Sequence, residues 1–218
     1  MILKKAVILG SGYYGEVFLT YLSEQGYETI GFYDDDTSKI GKTIHGVQIL
    51  GTFEDLMKVV QTDPSLHIFC SIGHNETRVK YLEKLHNAGA KIPNLIHESV
   101  ILNDSVKIGR GISLMPGVIV MPHSIIEDYV IISIGSKVAH HTKLKKGCFL
   151  SMGVAIGANI TMEDRSFVGV GASVMTGVKS IGEDALVGAG AVVIRDVEKN
   201  HIVAGVPAKT IRVKSDDV

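Results

Sequence analysis

Two sets of residues in this 218-residue chain have types and spacings that could do chemistry. The first is Gly10-Ser11-Gly12-Tyr13-Tyr14-Gly15, a GxGxxG turn, with Asp34-Asp35-Asp36 about twenty residues further on. Glycine amides at a helix start attract a pyrophosphate, and a carboxylate at the end of the next strand accepts hydrogen bonds from a nucleoside. The second set is histidine. His140 and His141 are adjacent and His123 precedes them. Three converging imidazoles would hold zinc, but adjacent residues on a strand point to opposite faces, so the spacing speaks against a metal. An imidazole also accepts a proton at neutral pH. Cys70 and Cys148 sit within apolar runs and build neither a metal site nor a disulfide framework.

The elements that would position the glycine turn are legible around it. Ala6-Val7-Ile8-Leu9 is a continuous apolar run suited to a strand buried on both faces. Behind the glycines, Val17, Phe18, Tyr21 and Leu22 form one helical stripe that Gly26 stops. A second strand over 29–33 leads into the three aspartates, which completes a βαβ unit. A helix from 53 behind a Thr52 cap, a strand over 67–71 and a helix over 76–87 follow, with Asn75 as an N-cap or a ligand contact. The module is too short for both halves of a dinucleotide fold, so a single nucleotide moiety fits better than NAD.

Past Pro93 the pattern changes. An aliphatic residue returns every sixth position from Ile96 through Leu102, Ile108, Leu114, Val120, Ile126, Ile132 and Val138 to Val174, and after one extra residue at Ile181, Val187 and Val193. A period of six fits neither a helix nor an ordinary sheet; it fits a solenoid of short strands whose sixth residues stack inside. Glycines recur between the columns, where the chain turns sharply. His140 falls two places after the column residue Val138, outside the buried stack.

Composition narrows the function classes. The formal net charge is −1 and the two halves are each nearly balanced, which excludes an electrostatic nucleic-acid binder. No apolar stretch is long enough to span a membrane, no cleavage-site pattern follows Lys4 and Lys5, and the unpaired cysteines fit a reducing, cytoplasmic setting. The expected organisation is an α/β Rossmann-like βαβ domain over 1–94, a parallel β-helix of hexapeptide repeats over 95–198, and a C-terminal tail over 199–218 that crosses a flank and frays at Lys214, Ser215, Asp216 and Asp217.

Both parts resemble known families. The repeat is similar to that of the hexapeptide acyltransferases, which implies a left-handed β-helix, a handedness that periodicity alone would not predict. With the GSGYYG turn, FYDDD at 32–36, SIGHN at 71–75 with Arg78, VAHHTKL at 138–144 and the ending VAGVPAKTI, nearly the whole chain resembles the bacterial nucleotide-amino-sugar N-acyltransferases, the sialic acid O-acetyltransferase-like group. That resemblance implies a homotrimer that transfers an acetyl or longer acyl group from acyl-CoA to a UDP- or dTDP-linked amino sugar, such as a 4-amino-4,6-dideoxy hexose, in bacterial surface glycan biosynthesis. It needs no metal.

The resemblance carries roles onto particular residues. The general base falls on His140, with His141 beside it. The sugar nucleotide falls to Gly10, Gly12, Tyr14, Gly15, Asp34, Asp35, Gly73, His74, Asn75 and Arg78. The acyl-CoA falls to Phe149, to the backbone amide of Ala158 as oxyanion donor, and to Lys209 for a CoA phosphate. The chain departs from the family pattern at three polar positions: His141 stands for an acidic residue, and Tyr14 and Phe149 each stand for a histidine. Two alternatives stay open: O-acetylation of a sialic acid-type sugar, and a non-catalytic trimer that binds a sugar nucleotide.

Overall fold

A computed structural model describes residues 3–214. The chain divides into two compact units, Met1–Leu95 and Ile96–Val218.

The first unit is a five-stranded sheet flanked by three helices. Strand β1 (Lys4–Leu9) enters on two exposed lysines and buries Ala6, Val7, Ile8 and Leu9 almost completely, as a central strand covered on both faces must. Helix α1 (Tyr13–Glu24) returns the chain to β2 (Tyr27–Tyr33), which pairs parallel to β1 and so closes the expected βαβ unit. Next come β3 (Thr43–Ile44), β4 (Val47–Gly51), α2 (Phe53–Thr62), β5 (His67–Cys70) and α3 (Asn75–Asn87). The sheet order is β3-β4-β2-β1-β5. The hairpin β3–β4 has no counterpart in the sequence reading; its two-residue turn puts His45 at φ 47° and Gly46 at φ 84°, the left-handed pair that a tight hairpin requires.

Two caps fix where helices start. Thr52 caps α2 as expected: its hydroxyl accepts from the Asp55 amide, while Asp55 Oδ2 accepts from the Thr52 amide at 3.1 Å. For α3 the N-cap is His74, not Asn75. The His74 side chain accepts from the Thr77 amide and leaves Asn75 as the first helical residue.

The second unit is the solenoid. Two-residue strands pair in parallel with the strand eighteen residues on, for example Ile131–Ile132 with Phe149–Leu150 (Ile132 opposite Leu150), so three hexapeptides complete one coil. This yields three sheets of six, five and eight strands. The every-sixth residues form the core: Leu114, Ile132, Leu144, Leu150, Met162, Val168 and Val187 are each 0% exposed. Burying such a side chain contributes about 1.5–3 kcal/mol, so the column is the main stabilising feature of this unit. The extra residue before Ile181 is absorbed in a wider turn at Gly177, where φ is 107°.

Each corner of the prism has its own chemistry. One stacks Ile134, Met152 and Val170, all nearly half exposed. A second stacks His123, His141 and Asn159, each with φ near 60°, and a third stacks Tyr129, Arg165 and Asp184, again at positive φ. Residues one coil apart, eighteen positions or nineteen across the extra residue, therefore share a corner, and the backbone there is left-handed whether or not the residue is glycine, as at Gly147 between Tyr129 and Arg165.

The C-terminal segment differs from the flank-crossing tail expected for 199–218. His201–Ala204 adds one more parallel strand beside Leu186–Val187, and Lys209–Val213 folds back antiparallel against it. The reason is Val203, which is buried and continues the core column. Lys214 is tied down, its amide donating to the Asn200 carbonyl and its ammonium to that of Asp184; Ser215, Asp216 and Asp217 lie outside the described residues.

Candidate active site

In the first unit the ends of β1, β2 and β5 bring most of the expected residues together. Gly10 adopts φ 104°, and a Cβ there would sit 2.8 Å from Ser71 Oγ. A Cβ on Gly15 would lie 2.5 Å from the Gly10 carbonyl oxygen, so helix and strand approach here only because both residues are glycine. Ser71 closes the turn from the other side, its hydroxyl donating to the Gly10 carbonyl at 2.9 Å.

Asp34 is the hub. Its Oδ2 accepts from the Ser11 amide at 2.8 Å and the Ser11 hydroxyl at 2.5 Å, and Oδ1 accepts from the Asp36 amide at 3.0 Å. Lys39 Nζ approaches Oδ2 at 3.3 Å. Burial alone would raise the Asp34 carboxyl; the hydrogen bonds from Ser11 and the Asp36 amide, with the Lys39 cation, outweigh it and hold it below the usual carboxylate range. Asp35 is engaged as well. Oδ1 accepts from the Phe53 amide at the start of α2, and Oδ2 accepts a very short bond from the Tyr81 hydroxyl. That bond, then burial, pushes the Tyr81 phenol up to about 12, and its ring stacks on Phe53 at 4.0 Å. Both aspartates act as struts of the turn, where acceptors for the sugar nucleotide were expected.

Two further expectations are corrected. Arg78 is 0% exposed; Nη1 donates to the carbonyls of Ile72 and Gly73 at 3.0 and 3.2 Å, and Nη2 to Asn75 Oδ1 at 2.9 Å. It shapes the loop that carries the exposed Gly73 and His74 and does not face a ligand itself. Tyr14 was expected to reach a sugar or phosphate, yet its hydroxyl is buried without a hydrogen-bond partner and its ring lies edge-on to Phe18 at 5.1 Å. The cause is helical spacing: residues 14 and 18 share a face, and that face packs inward. Burial raises the Tyr14 phenol far above its usual range, against the pull of the Arg78 cation. Tyr13, one residue earlier, is 89% exposed.

In the solenoid, His140 and His141 meet. Their Nδ1 atoms are 3.0 Å apart and the rings stand perpendicular, at 88°. The expectation that neighbouring residues diverge fails because this pair occupies a corner turn, and φ 58° at His141 swings its ring back toward His140. His123 lies one coil below, its ring centroid 5.0 Å from that of His141. One coil above, the Asn159 amide donates to the His140 carbonyl, which places Ala158 directly over His140 in the corner.

The Ala158 amide is not free as expected. It donates to Thr176 Oγ1 at 3.1 Å. Phe149 is half-buried on the outer face of its strand, edge-on to Phe167 at 5.3 Å. Lys209 is exposed on the returning C-terminal strand, in register with Ala204, and no contact joins it to the histidine corner among the described residues. Among the described residues no group of three or more metal-ligating side chains has the geometry to hold a metal ion, and no helix is long and apolar enough to cross a membrane.

The comparisons with known proteins fit this geometry. Residues 5–85 match the PglD N-terminal domain family. The fold is similar to that of PerB from Caulobacter crescentus in complex with CoA and GDP-perosamine, with 33% identity, a TM-score of 0.87, and 95% and 97% of the two chains covered. The chain belongs to the nucleotide-amino-sugar N-acyltransferases of the left-handed β-helix superfamily.

This family's reach over the chain is nearly complete. The acetyltransferase domain of PglB from Neisseria gonorrhoeae FA1090, in complex with acetyl coenzyme A, is 29% identical, with a TM-score of 0.88 over 96% of this chain and 100% of that one. The curated relatives match shorter stretches of the chain. Galactoside O-acetyltransferase of Escherichia coli is 30% identical over 92 residues, and the chain spans 42% of its length. Within the N-acyltransferase frame, sequence reasoning missed Ser11, Lys39, Tyr81 and Thr176. Ser11 carried a signal, being the residue between the first two glycines, and Lys39 lies within five residues of the aspartates it pairs with; Tyr81 and Thr176 are defined by partners far away in sequence.

Proposed function

We propose that this protein transfers an acyl group, in the first instance acetyl, from acyl-CoA to the amine of a nucleotide-linked amino sugar, with His140 as general base. The observation that carries this reading is the 3.0 Å Nδ1–Nδ1 contact between His140 and His141. Two ring nitrogens at that distance need one proton between them. If His140 carries it and donates to a neutral His141, then Nε2 of His140 keeps its lone pair and can accept a proton. The reverse arrangement puts the His140 proton on Nε2 and removes the base.

The chemistry follows from that proton inventory. A sugar ammonium has no lone pair, so it first loses a proton to solvent. The free amine attacks the thioester carbonyl, His140 Nε2 takes the second proton from nitrogen, the C–S bond breaks, and the CoA thiolate leaves with that proton. General-base assistance of this type is worth about 10²–10⁴ in rate. Once protonated, His140 keeps its Nδ1–H bond to His141, now charge-assisted. A neutral His141 gives less support than an anion would, which favours an amine over a hydroxyl acceptor, since an alkoxide is far harder to form.

The glycine turn, with Gly10, Gly12, Gly73 and His74 on its rim and Asp34, Asp35, Asn75, Arg78 and the buried Gly15 behind it, serves the sugar nucleotide in this reading. Phe149 and the Ala158 amide serve acyl-CoA, the amide after Thr176 Oγ1 turns away, and Lys209 serves a CoA phosphate. The nucleotide is UDP or dTDP by family resemblance, and the GDP-perosamine bound by the Caulobacter neighbour adds GDP to the set. A homotrimer, a cytoplasmic location and a place in surface glycan assembly belong to the same reading.

The test is acetyl-CoA turnover, followed by thiol release, against UDP-, dTDP- and GDP-linked 3-amino and 4-amino sugars. Turnover with at least one supports the proposal. Acetylation of free sialic acid with every nucleotide amino sugar ignored would replace it with O-acetylation, and silence with all acceptors would leave a binding protein.

A further inference from the structure

We propose that Lys39 recognises the diphosphate of the nucleotide sugar. This rests on the glycine turn being the sugar-nucleotide site. The turn arrives already occupied by an anion: the Asp34 carboxylate takes both the amide and the hydroxyl of Ser11. Asp35 and Asp36 follow it directly in the chain, so an anion binding at this turn does so next to a cluster of carboxylates. Something must offset them.

Lys39 is placed to do so. It ends the short 3₁₀ turn Thr37–Lys39, which Asp36 starts by accepting from the Ser38 amide and hydroxyl. Its ammonium lies 3.3 Å from Asp34 Oδ2 and 3.7 Å from Asp36 Oδ2. A lysine ammonium has three donors. One is directed at Asp34 and the ammonium stays within ion-pair distance of Asp36, which leaves donors for a ligand oxygen on a side chain that is 36% exposed. The chain Ser11–Asp34–Lys39 therefore couples the glycine turn to one half-exposed cation. The aspartates hold that cation in place, and it lets an anion approach them.

The experiment compares ligands as well as variants. Binding of UDP, dTDP and GDP, and of the three corresponding nucleosides, is measured by calorimetry on wild type, Lys39→Gln, Lys39→Met and Lys39→Arg, with melting temperatures as a fold check. For whichever nucleotide binds, Lys39→Gln and Lys39→Met are expected to weaken the diphosphate by about 10- to 100-fold, the range for a hydrogen bond to a charged group, while nucleoside affinity holds and Lys39→Arg keeps most of the diphosphate affinity. Equal losses for nucleoside and diphosphate, or no loss, would overturn the assignment of Lys39 while leaving the nucleotide site standing. Failure of wild type to bind any of the three diphosphates would remove the site itself, and Lys39's role with it.

Discussion

At the glycine turn the polar contacts that close it join residues on different elements, Ser11 to Asp34, Asp35 to Phe53 and Tyr81, Ser71 to Gly10, with local contacts such as Asp34 to Asp36 and Lys39 beside them. At the histidine corner the contacts join neighbours or residues one coil apart, eighteen or nineteen positions along: His140 to His141, His123 to His141, Asn159 to His140. The first region is held by a few individual side chains drawn from different elements. The second is held by a repeat whose core columns would stand without any of the histidines. Chemistry on the prism can therefore be removed one imidazole at a time at little structural cost, whereas at the glycine turn binding and local stability fail together.

That contrast can be broken by substitution. The largest effect is expected from His140→Ala, which should lower kcat by about 10²–10⁴ while thermal stability stays near wild type. An equally large loss of stability would mean that the corner is not independent of the core. Arg78→Met is the counterpart in the first unit. It leaves the carbonyls of Ile72 and Gly73 and the Asn75 side chain without their donor, so urea unfolding should show about 2–4 kcal/mol of destabilisation together with weaker nucleotide binding.

A smaller effect is expected at His141. His141→Ala should cost about 10- to 100-fold in kcat, the usual range for a residue that orients a ligating or catalytic imidazole. His141→Asn should recover much of it, because the amide oxygen accepts a hydrogen bond and asparagine tolerates the left-handed backbone there. If Asn and Ala behave alike, His141 does not orient His140.

The smallest effect concerns Asp34 and is best read through pH. Its carboxyl is held below the ordinary value in the folded protein, so its contribution is present above the unfolded value of about 3.9 and is lost as pH falls through the folded one. The melting temperatures of wild type and Asp34→Asn should therefore differ most near neutrality and converge on acidification below about pH 4. A gap independent of pH would mean that the charge at Asp34 does not hold the turn.

How far the sequence could be read divides along the same line. The six-residue period announced the columns and the place of His140 outside the stack, because a repeat is a local and redundant signal. The βαβ unit and the Thr52 cap were legible for the same reason: each is written within a few residues. What could not be read were choices made in three dimensions. Nothing in FYDDD says that Asp34 turns to Ser11 and Asp35 to Tyr81, and nothing in GSGYYG says that Tyr14 buries its hydroxyl while Tyr13 faces out. The strand rule misplaced His140 and His141 because it assumed an extended backbone where the chain turns at φ 58°. Val203 continued the core column after an irregular gap, and so the last strands were taken for a tail.

The mechanism turns on which nitrogen of His140 carries the proton. Nitrogen NMR of the two imidazoles in wild type, assigned through His140→Asn and His141→Asn, measures it directly near neutral pH. The account predicts His140 protonated at Nδ1 with a bare Nε2, and His141 protonated at Nε2. A proton on Nε2 of neutral His140 would contradict it.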